Sequence, residues 1–363
     1  MLSFVLVIIG VITAYFGSRY QLRLVYSAYV NLLVVLGLQV FMGNARITNL
    51  SHSAFMGIGA YAAAICVTPQ NIKALSLPNA PWGLNAFSFD PLTSALIAIA
   101  ITGTIALLVG FLIVRLTGIG ATIVSLAFLV IIHALFLYRT DIFKGNQAFF
   151  GIPQVFSLTS VVILAALVVF GVRIFRECRW GVALRASADD EVGAVSMGVD
   201  MYRLRLIAWV LSGMLLAVAG IAYAYFLGTI SARPFYFNHV FLTLAMLIFG
   251  GMRTVTGAVL GTFLISLGLE MVRWLETGPV IMGIDLPEAL GLSGIALGAV
   301  IVFTMALRPS GIMGENEIED IVLENQGDKP WHAITRSTNI IIISGGIMPS
   351  SLRSALHLVK PLK

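Results

Sequence analysis

The residues best suited to chemistry lie in a polar stretch, Asn44–Ser53, that interrupts the apolar sequence near its N-terminal end. Asn49, Ser51, His52 and Ser53 stand where a new apolar block begins, and we expect a helix to start there. The N–H groups at a helix start attract a carboxylate, so these four residues are candidates for a solute path through the protein. A plainer interpretation is that they cap the helix and hydrogen-bond inside a bundle. The sequence leaves both interpretations open.

A second group of candidates lies in the charged segment Arg176–Arg205. Apolar residues recur there at intervals of four, four, three and four, which places them on one stripe of a helix. The stripe consists of Leu184, Ala188, Val192, Val195 and Val199. We predict one amphipathic helix that either lies on lipid headgroups or docks into a groove of a soluble partner, and the mixed charges favour the partner. Glu191 is expected to pair with a basic residue of that partner, and Gly198 to let the chain turn back past the helix end.

Motifs for enzymatic chemistry are absent from the sequence. There is no P-loop ending in Gly-Lys-Ser or Gly-Lys-Thr, no His-Glu-x-x-His pair and no Gly-x-Ser-x-Gly elbow. We therefore predict no catalytic, cofactor-binding or metal-binding residues. The run Gly57–Ala62 has the letters of a dinucleotide fingerprint, but it lies inside an apolar block with no strand before it, which favours helix packing through small residues.

The predicted spans contain one histidine, His133, and one carboxylate, Glu270, which stands beside Arg273. Carriers driven by protons or sodium usually need buried carboxylates as coupling groups, because a buried charge is expensive and is kept for function. Energy for transport must therefore come from outside the spans, or the chain conducts passively. We expect His133 to be a hydrogen-bonded histidine within the bundle.

The composition fixes the class of elements that carry these residues. Of 363 residues, 59% are hydrophobic and 11% are charged, and the mean hydropathy is +0.97. Soluble domains carry about 25% charged residues, so an ordinary soluble enzyme is excluded. The apolar residues come in long blocks and not in the alternation of an outer-membrane barrel, so the predicted fold is all-α, a polytopic helical membrane protein. The net charge of +5 does not indicate nucleic-acid binding, because the basic residues gather between apolar blocks in the positive-inside pattern.

Ten apolar blocks approach the length of about 20 residues that a bilayer span needs. They are Leu2–Phe16, Leu24–Met42, Ala54–Val67, Leu92–Val114, Ala121–Leu137, Leu158–Phe175, Leu204–Leu227, Val240–Gly250, Ala258–Trp274 and Leu290–Leu307. The third and the eighth are short and are candidates for broken or re-entrant segments, which gives eight to ten spans. Placing the basic loop 176–205 in the cytoplasm puts both termini there. The first block lacks a signal-peptide cleavage site and is expected to be a retained span.

The composition changes abruptly after Arg308. We predict a transmembrane domain over residues 1–310 and a polar, cytoplasmic, partly disordered tail over residues 311–363. Within this tail, residues 339–348 are apolar but too few to span a bilayer. Cys66 and Cys178 fall at different levels of the predicted membrane topology, so we expect no disulfide between them.

Two short segments of the transmembrane domain echo each other. Gly43–Arg46 and Gly250–Arg253 each follow an apolar block and precede a block rich in small residues. Transporters often contain inverted repeats whose interrupted helices meet at the membrane midplane. The two segments indicate an internal pseudo-repeat, or they are a coincidence.

Several stretches of the sequence resemble one family of membrane proteins. Ser187–Asp200 resembles the cytoplasmic coupling loop of the LivM-type permeases, which are membrane subunits of ATP-binding-cassette importers for branched-chain amino acids and related small polar solutes. Asn49–Tyr61, Arg115–Phe128 and Arg308–Gly314 are similar to further segments of this family, in the same order. The resemblance covers residues 20–314.

The resemblance implies a set of partners and a location. They are a paralogous LivH-type permease subunit, two cytoplasmic ATPase subunits that bind the ATP, and a periplasmic solute-binding protein, all at the inner membrane of a bacterium. The loop residues implicated in ATPase coupling are Leu184, Ala188, Glu191, Val192, Val195 and Gly198. The solute is expected to be a branched-chain or other amino acid or a small polar compound, and its path to lie between the two permease subunits, with the group Asn49–Ser53 as a candidate lining.

Other function classes are compatible with parts of the sequence. A passive channel or an ion-coupled secondary carrier would need no ATPase, and its loop helix would only rest on lipid. A membrane-embedded enzyme would need an acid, base or nucleophile at catalytic spacing, which the sequence does not contain. A purely structural subunit would leave the polar stretch Asn44–Ser53 without an explanation.

Overall fold

The structure is a computed structural model that describes residues 18–76, 81–83, 87–116, 118–278, 280–281, 284–285, 291–308, 310–314, 341–343 and 346–348. Within these ranges the chain forms α-helices joined by short loops, a few two-residue or three-residue strands and two single 3-10 turns. The predicted first span, Leu2–Phe16, lies outside the described residues.

The helices follow one another along the chain with short connections. They are α1 (Arg19–Ala45), α2 (His52–Val67), α3 (Gln70–Ser76), α4 (Pro91–Ile113), α5 (Ile119–Tyr138), α6 (Thr140–Phe143), α7 (Leu158–Glu177), α8 (Arg179–Asp189), α9 (Glu191–Ser196), α10 (Met201–Leu227), α11 (Phe237–Gly250), α12 (Val255–Glu276) and α13 (Leu292–Leu307). Each of the other nine predicted apolar blocks corresponds to one of these helices.

In the part of the chain that the structure describes, six helices are long and apolar enough to cross a membrane: α1, α4, α5, α7, α10 and α12. Three others are apolar but shorter: α2 and α13 have 16 residues each and α11 has 14. At a rise of about 1.5 Å per residue, α11 is about 21 Å long, which is less than the hydrocarbon core of about 30 Å. The chain is therefore a multi-pass helical membrane protein, as the composition predicts.

Helix α1 lies at the centre of the bundle. All its residues from Tyr29 to Ala45 are buried except the half-buried Asn31, because α7, α8, α10, α11 and α12 pack around it, with a smaller contact from α2. The outer helices α4, α5 and α7 instead expose large apolar side chains, such as Leu108, Ile131 and Phe170. Such faces suit lipid tails, which are as apolar as the side chains themselves.

Glycines let α2 and α10 approach each other closely. A Cβ on Gly59 would lie 2.5 Å from the Cα of Ala217, and a Cβ on Gly220 would overlap the carbonyl oxygen of Met56. The Gly57–Ala62 run therefore serves helix packing, as predicted. Helices α11 and α12 meet in the same way, with Gly250 against Gly261.

Short strands join some of the loops. They are β1 (Phe149–Phe150), β2 (Thr229–Ile230), β3 (Val280–Ile281), β4 (Ile284–Asp285), β5 (Ile341–Ile343) and β6 (Gly346–Met348). They form three separate antiparallel pairs, β1 with β2, β3 with β4 and β5 with β6. In the first pair Phe149 lies opposite Ile230, which ties the loop after α6 to the loop after α10.

The chain divides into two compact units, Met1–Glu315 and Asn316–Lys363. In the second unit the described residues are the strands β5 and β6, which fall in the apolar segment 339–348. Most of the predicted tail, namely residues 315–340, 344–345 and 349–363, lies outside the described residues, and its cytoplasmic position and partial disorder stay predictions. In the first unit, Cys66 and Cys178 are both free thiols.

Candidate functional site

The charged loop between α7 and α10 folds into two short helices, so the prediction of one helix over Leu184–Val199 is wrong. Asp190 has extended backbone angles (φ −141°, ψ 101°), which end α8, and its Oδ1 accepts a hydrogen bond of 3.0 Å from Gly193 N. Asp190 therefore caps the N-terminus of α9. The helical periodicity missed this break because an aspartate off the apolar stripe does not change the spacing of the apolar residues.

The break separates the predicted stripe into two environments. Leu184 is buried against the bundle and Ala188 is half-buried, whereas Val192 and Val195 are 81% and 59% exposed. Met197, just past the end of α9, is 84% exposed. Val192, Val195 and Met197, called here the α9 patch, are exposed apolar side chains on α9 and directly after it.

Gly198 reverses the chain after α9, as predicted. It has a φ of +79°, its N–H donates to Val195 O at 3.0 Å, and Val199 N donates to Ala194 O at 3.1 Å. These two hydrogen bonds form a Schellman motif, whose left-handed residue is usually glycine. The chain then enters α10, where Asp200 Oδ1 accepts from Arg203 N at 3.1 Å.

Helix α8 is tied to the bundle by a carboxylate that two arginines share. Asp189 Oδ1 lies 2.6 Å from Nη2 of Arg46, which follows α1, and 3.1 Å from Nη2 of Arg253, which follows α11. These arginines end the two segments that echo each other in sequence, so the segments meet at one residue. We call the three residues the Asp189 bridge. It links the loop to two helices of the bundle at once.

Two further polar contacts hold the loop. Arg185 Nη1 donates to Asn44 Oδ1 at 3.3 Å and to the Arg176 carbonyl at 2.7 Å. Glu191 Oε1 lies 3.5 Å from Nη2 of Arg205, which is almost fully buried. The expectation that Glu191 pairs with a partner's basic residue stays a prediction, and this contact within the chain competes with it.

A cavity of about 380 Å³ opens beside the Asp189 bridge. It is lined by residues of the loops after α1, α11 and α13 together with the last turn of α1, namely Met42, Gly43, Arg46, Thr48, Met252, Arg253, Ser310 and Gly314. A Cβ on Gly43 would overlap the carbonyl oxygen of Met252, so a glycine is needed where the two echo segments touch.

The four residues predicted near the start of α2 are all buried and hydrogen-bonded. Ser51 stands at the N-cap position but makes no capping hydrogen bond; instead its hydroxyl donates to Asn49 Oδ1 at 2.6 Å. The expectation of a side-chain cap is therefore wrong for Ser51, because Asn49 takes its hydroxyl. His52 Nδ1 lies 3.1 Å from the Asn49 carbonyl oxygen, and its Nε2 lies 2.7 Å from the Thr243 hydroxyl, which itself donates to the His239 carbonyl at 2.8 Å.

Ser53 continues this network toward α1. Its hydroxyl lies 3.0 Å from Nδ1 of His239, whose Nε2 lies 3.3 Å from Asn31 Oδ1. Since an amide oxygen only accepts, Nε2 carries the proton and Nδ1 accepts from Ser53. Sequence reasoning missed His239, Thr243 and Asn31. The spacing of four between His239 and Thr243, one face of a helix, was the signal available.

Two other polar residues of the spans have unexpected surroundings. His133 stacks on Tyr236 with ring centroids 4.0 Å apart, and its Nδ1 has no hydrogen-bond partner among the described residues, so the prediction of a hydrogen-bonded histidine is wrong for this atom. Aromatic packing takes the place of a polar partner. Glu270 accepts a hydrogen bond from the Tyr20 hydroxyl and lies 3.6 Å from Arg273, which ties α12 to the first turn of α1.

Comparison with known proteins identifies the family. Residues 20–305 match the model of the family described as "Branched-chain amino acid transport system / permease component". The chain belongs to this family. The resemblance to LivM-type permeases is thus confirmed, and the chain is related to transporter subunits and not to enzymes.

Three relatives of this permease family illustrate the similarity. The "High-affinity branched-chain amino acid transport system permease protein LivM" of Salmonella typhimurium is 25% identical over 342 residues, covering 85% of this chain and 73% of the relative. The protein of the same name from Escherichia coli strain K12 is 24% identical with the same coverage. The "Probable branched-chain amino acid transport permease protein LivH" of Methanocaldococcus jannaschii is 25% identical over 301 residues, covering 79% of this chain and 90% of the relative. No solved structure matches the chain.

Proposed function

We propose that this chain is the membrane-spanning permease subunit of an ATP-binding-cassette importer that takes up branched-chain or other amino acids or small polar solutes. Family membership and the names of the LivM relatives support the solute class. The chain has no P-loop, so the ATPase belongs to separate subunits.

The observation that carries this proposal is the contrast between α8 and α9. Helix α8 packs on α1, α7 and α10, whereas the side chains of the α9 patch are exposed. An apolar face on a short amphipathic helix fits a groove on a partner protein. Lipid is the less suitable partner, because the loop mixes exposed acidic residues such as Asp190 with its arginines and so presents no uniformly basic face to anionic headgroups.

The mechanism follows from the contacts of the loop. Closure of two ATPase subunits on ATP would move α9, and α8 would move with it because Asp190 joins them directly. The Asp189 bridge would pass that motion to Arg46 and Arg253, and hence to the ends of α1 and α11. Two helices at the solute path would then shift together between inward-facing and outward-facing arrangements.

The remaining partners in this proposal are a LivH-type permease subunit beside this chain and a periplasmic solute-binding protein that delivers the solute. The location is the bacterial inner membrane, with the α8–α9 loop in the cytoplasm. Under this assignment Asn49, Ser51, His52 and Ser53 line or support the solute path. His52 and Ser53 hydrogen-bond to side chains of α11, so the more direct role of this group is to support the path and not to line it.

The test is ATP-driven uptake of L-leucine by proteoliposomes that contain the full complex, with Val192→Ser compared with the parent chain. Val192 is 81% exposed, so the substitution should leave the stability of the chain unchanged. Losing a buried valine at an interface costs about 1.5 kcal/mol, so we expect ATPase affinity to fall about tenfold and uptake with it. Val155→Ser, at a half-exposed valine far from the loop in sequence, is the matched control.

Unchanged ATPase binding and uptake in Val192→Ser would contradict docking through the α9 patch. The rival function, a passive channel or an ion-coupled carrier, predicts uptake by the two permease subunits without any ATPase. Vesicles with the permease subunits alone therefore separate the two functions.

A further inference from the structure

The end of α7 shows where the α8–α9 loop meets the membrane surface. Helix α7 has 20 residues, so at about 1.5 Å per residue it is about 30 Å long, which matches the hydrocarbon core of a bilayer. Its outward face carries large apolar side chains at intervals of four, three and four, each more than half exposed: Ile163, Leu167, Phe170 and Ile174. Three residues further on, the same face ends in the exposed Glu177. The last turn of α7 therefore lies where hydrocarbon gives way to headgroups.

Helix α8 stays at the level of this last turn. It begins at Arg179, and a Cβ on Gly181 would overlap the carbonyl oxygen of Phe175, so the first turn of α8 packs directly on the last turn of α7. Leu184 and Ser187 follow Gly181 at intervals of three and are buried with it against the bundle. Helix α8 contacts α1 and α10 as well as α7, so it runs across the end of the bundle at the depth of the headgroups.

The exposed face of α8 is apolar and basic. Arg179, Val182 and Ala186 lie on this face at intervals of three and four. Trp180, beside them, is 43% exposed, and the Arg179 guanidinium carbon lies 5.6 Å from the centroid of its ring. Tryptophan is enriched at the interface between membrane and water, and arginine binds phosphate. Residues 179–188 contain no aspartate or glutamate, so nothing acidic on this face opposes a phosphate.

The second half of the loop has a different surface. Three acidic residues in succession, Asp189, Asp190 and Glu191, separate the exposed face of α8 from the α9 patch. The break at Asp190 therefore divides the loop into a basic half at the membrane surface and a half whose apolar side chains stand beside carboxylates. A phospholipid suits the first half and a protein groove suits the second.

We propose that the exposed face of α8 is a phospholipid-binding surface, with a lipid phosphate on Arg179, Trp180 among the headgroups and an acyl chain along the α7 face that ends at Ile174. This inference goes beyond the proposed function, which concerns the α9 patch. A helix held at the bilayer surface can slide along it but does not leave it. Motion of α9 therefore reaches the Asp189 bridge as sliding parallel to the membrane.

Nitroxide labels on the two halves of the loop test this surface. They are attached through Val182→Cys or Val192→Cys in a Cys178→Ser background, and the permease subunits are placed in vesicles of phosphatidylcholine and phosphatidylglycerol. Oxygen concentrates in hydrocarbon and a nickel chelate stays in water, and each relaxes the labels that it reaches. We expect oxygen to dominate at position 182 and the nickel chelate to dominate at position 192. Adding the ATPase subunits should shield position 192 and leave position 182 unchanged.

A phosphatidylglycerol with a photoreactive headgroup measures the contribution of Arg179 in the same vesicles. Arg179→Gln should lower its crosslinking to α8 about fivefold, because one arginine near an anionic surface favours binding by about this factor. Arg203→Gln, at an arginine that is 81% exposed in the first turn of α10, is the matched control and should leave the crosslinking unchanged.

Three results would overturn the proposal. They are a nickel chelate that reaches position 182 more than oxygen does, shielding of position 182 by the ATPase subunits, and equal crosslinking in Arg179→Gln and the parent chain. Position 182 is measured before any ATPase is added, so its result does not depend on the proposed function. If position 192 stays unshielded when the ATPase subunits are present, docking through the α9 patch fails and the lipid surface is still decided by position 182.

Discussion

Replacing Asp189 with asparagine tests whether motion passes between the coupling loop and the bundle through the Asp189 bridge. The change keeps the shape of the side chain and removes the charge that holds Arg46 and Arg253. The carboxylate and Arg46 are about half exposed and Arg253 is a quarter exposed, so solvent screens both ion pairs. At about 0.2–1 kcal/mol for each exposed pair, the bridge contributes about 1 kcal/mol.

This magnitude predicts a small effect on stability and a larger effect on coupling. A bridge of about 1 kcal/mol that forms in one conformation and breaks in the other shifts their ratio about fivefold. We therefore expect Asp189→Asn to lower the number of solute molecules moved per ATP hydrolysed about fivefold. The free energy of unfolding should fall by about 1 kcal/mol, and the complex should assemble normally.

The assay measures uptake and ATP hydrolysis in the same proteoliposomes. Asp141→Asn, at an exposed carboxylate on α6, is the matched control and should leave the ratio unchanged. Raising the ionic strength should lower the ratio in the parent chain, because salt screens exposed ion pairs, but should have little further effect in Asp189→Asn. An unchanged ratio in Asp189→Asn, or equal salt dependence of both proteins, would refute transmission through the bridge.

Two further predictions concern stability. Gly220→Ala should lower the free energy of unfolding by about 1–3 kcal/mol, because the added methyl overlaps the Met56 carbonyl. Thermal unfolding measures this loss. The control Gly171→Ala, at a glycine with open space around it, should be neutral or stabilising. Burial lowers the pKa of Lys73 from its usual 10.5, and within the described part of the chain its ammonium donates to the Phe87 carbonyl at 2.7 Å. The parent protein should therefore gain stability as the pH rises from the lowered pKa to 10.5, because the unfolded chain binds more protons in that range. The stability of Lys73→Met relative to the parent should fall across the same range. A stability difference between the two proteins that does not change with pH would contradict the burial of the charged amine.

The sequence alone predicts the helices well because a membrane span must be a long apolar run with its backbone hydrogen bonds satisfied internally. The errors arise where a polar residue belongs to a helix. The block Val240–Gly250 begins three residues late, because His239 and Asn238 are polar yet lie in α11. The break at Asp190 was missed for the opposite reason, since an aspartate can continue a helix on its solvated side or cap the next one.

The candidate site was only partly predictable. The echo of Gly43–Arg46 in Gly250–Arg253 identifies two segments that do meet, but nothing in the sequence indicates that Asp189 joins them. His52 and Thr243 are 191 residues apart, and Asn31 and His239 are 208 apart. Contacts of this kind depend on how helices pack, and one chain's periodicity does not encode its packing partners.

The proposed transport mechanism depends on binding of a separate cytoplasmic ATPase to the α9 patch. It is tested most directly by Val195→Cys in a Cys178→Ser background, with a short thiol crosslinker applied to the assembled complex in inside-out vesicles. We expect a crosslink between this chain and an ATPase subunit that forms only when the cytoplasmic side is accessible. A control cysteine at Val155 should form no such crosslink. Labelling of position 195 by a membrane-impermeant reagent from the periplasmic side, or no crosslink in a complex that transports, would contradict it.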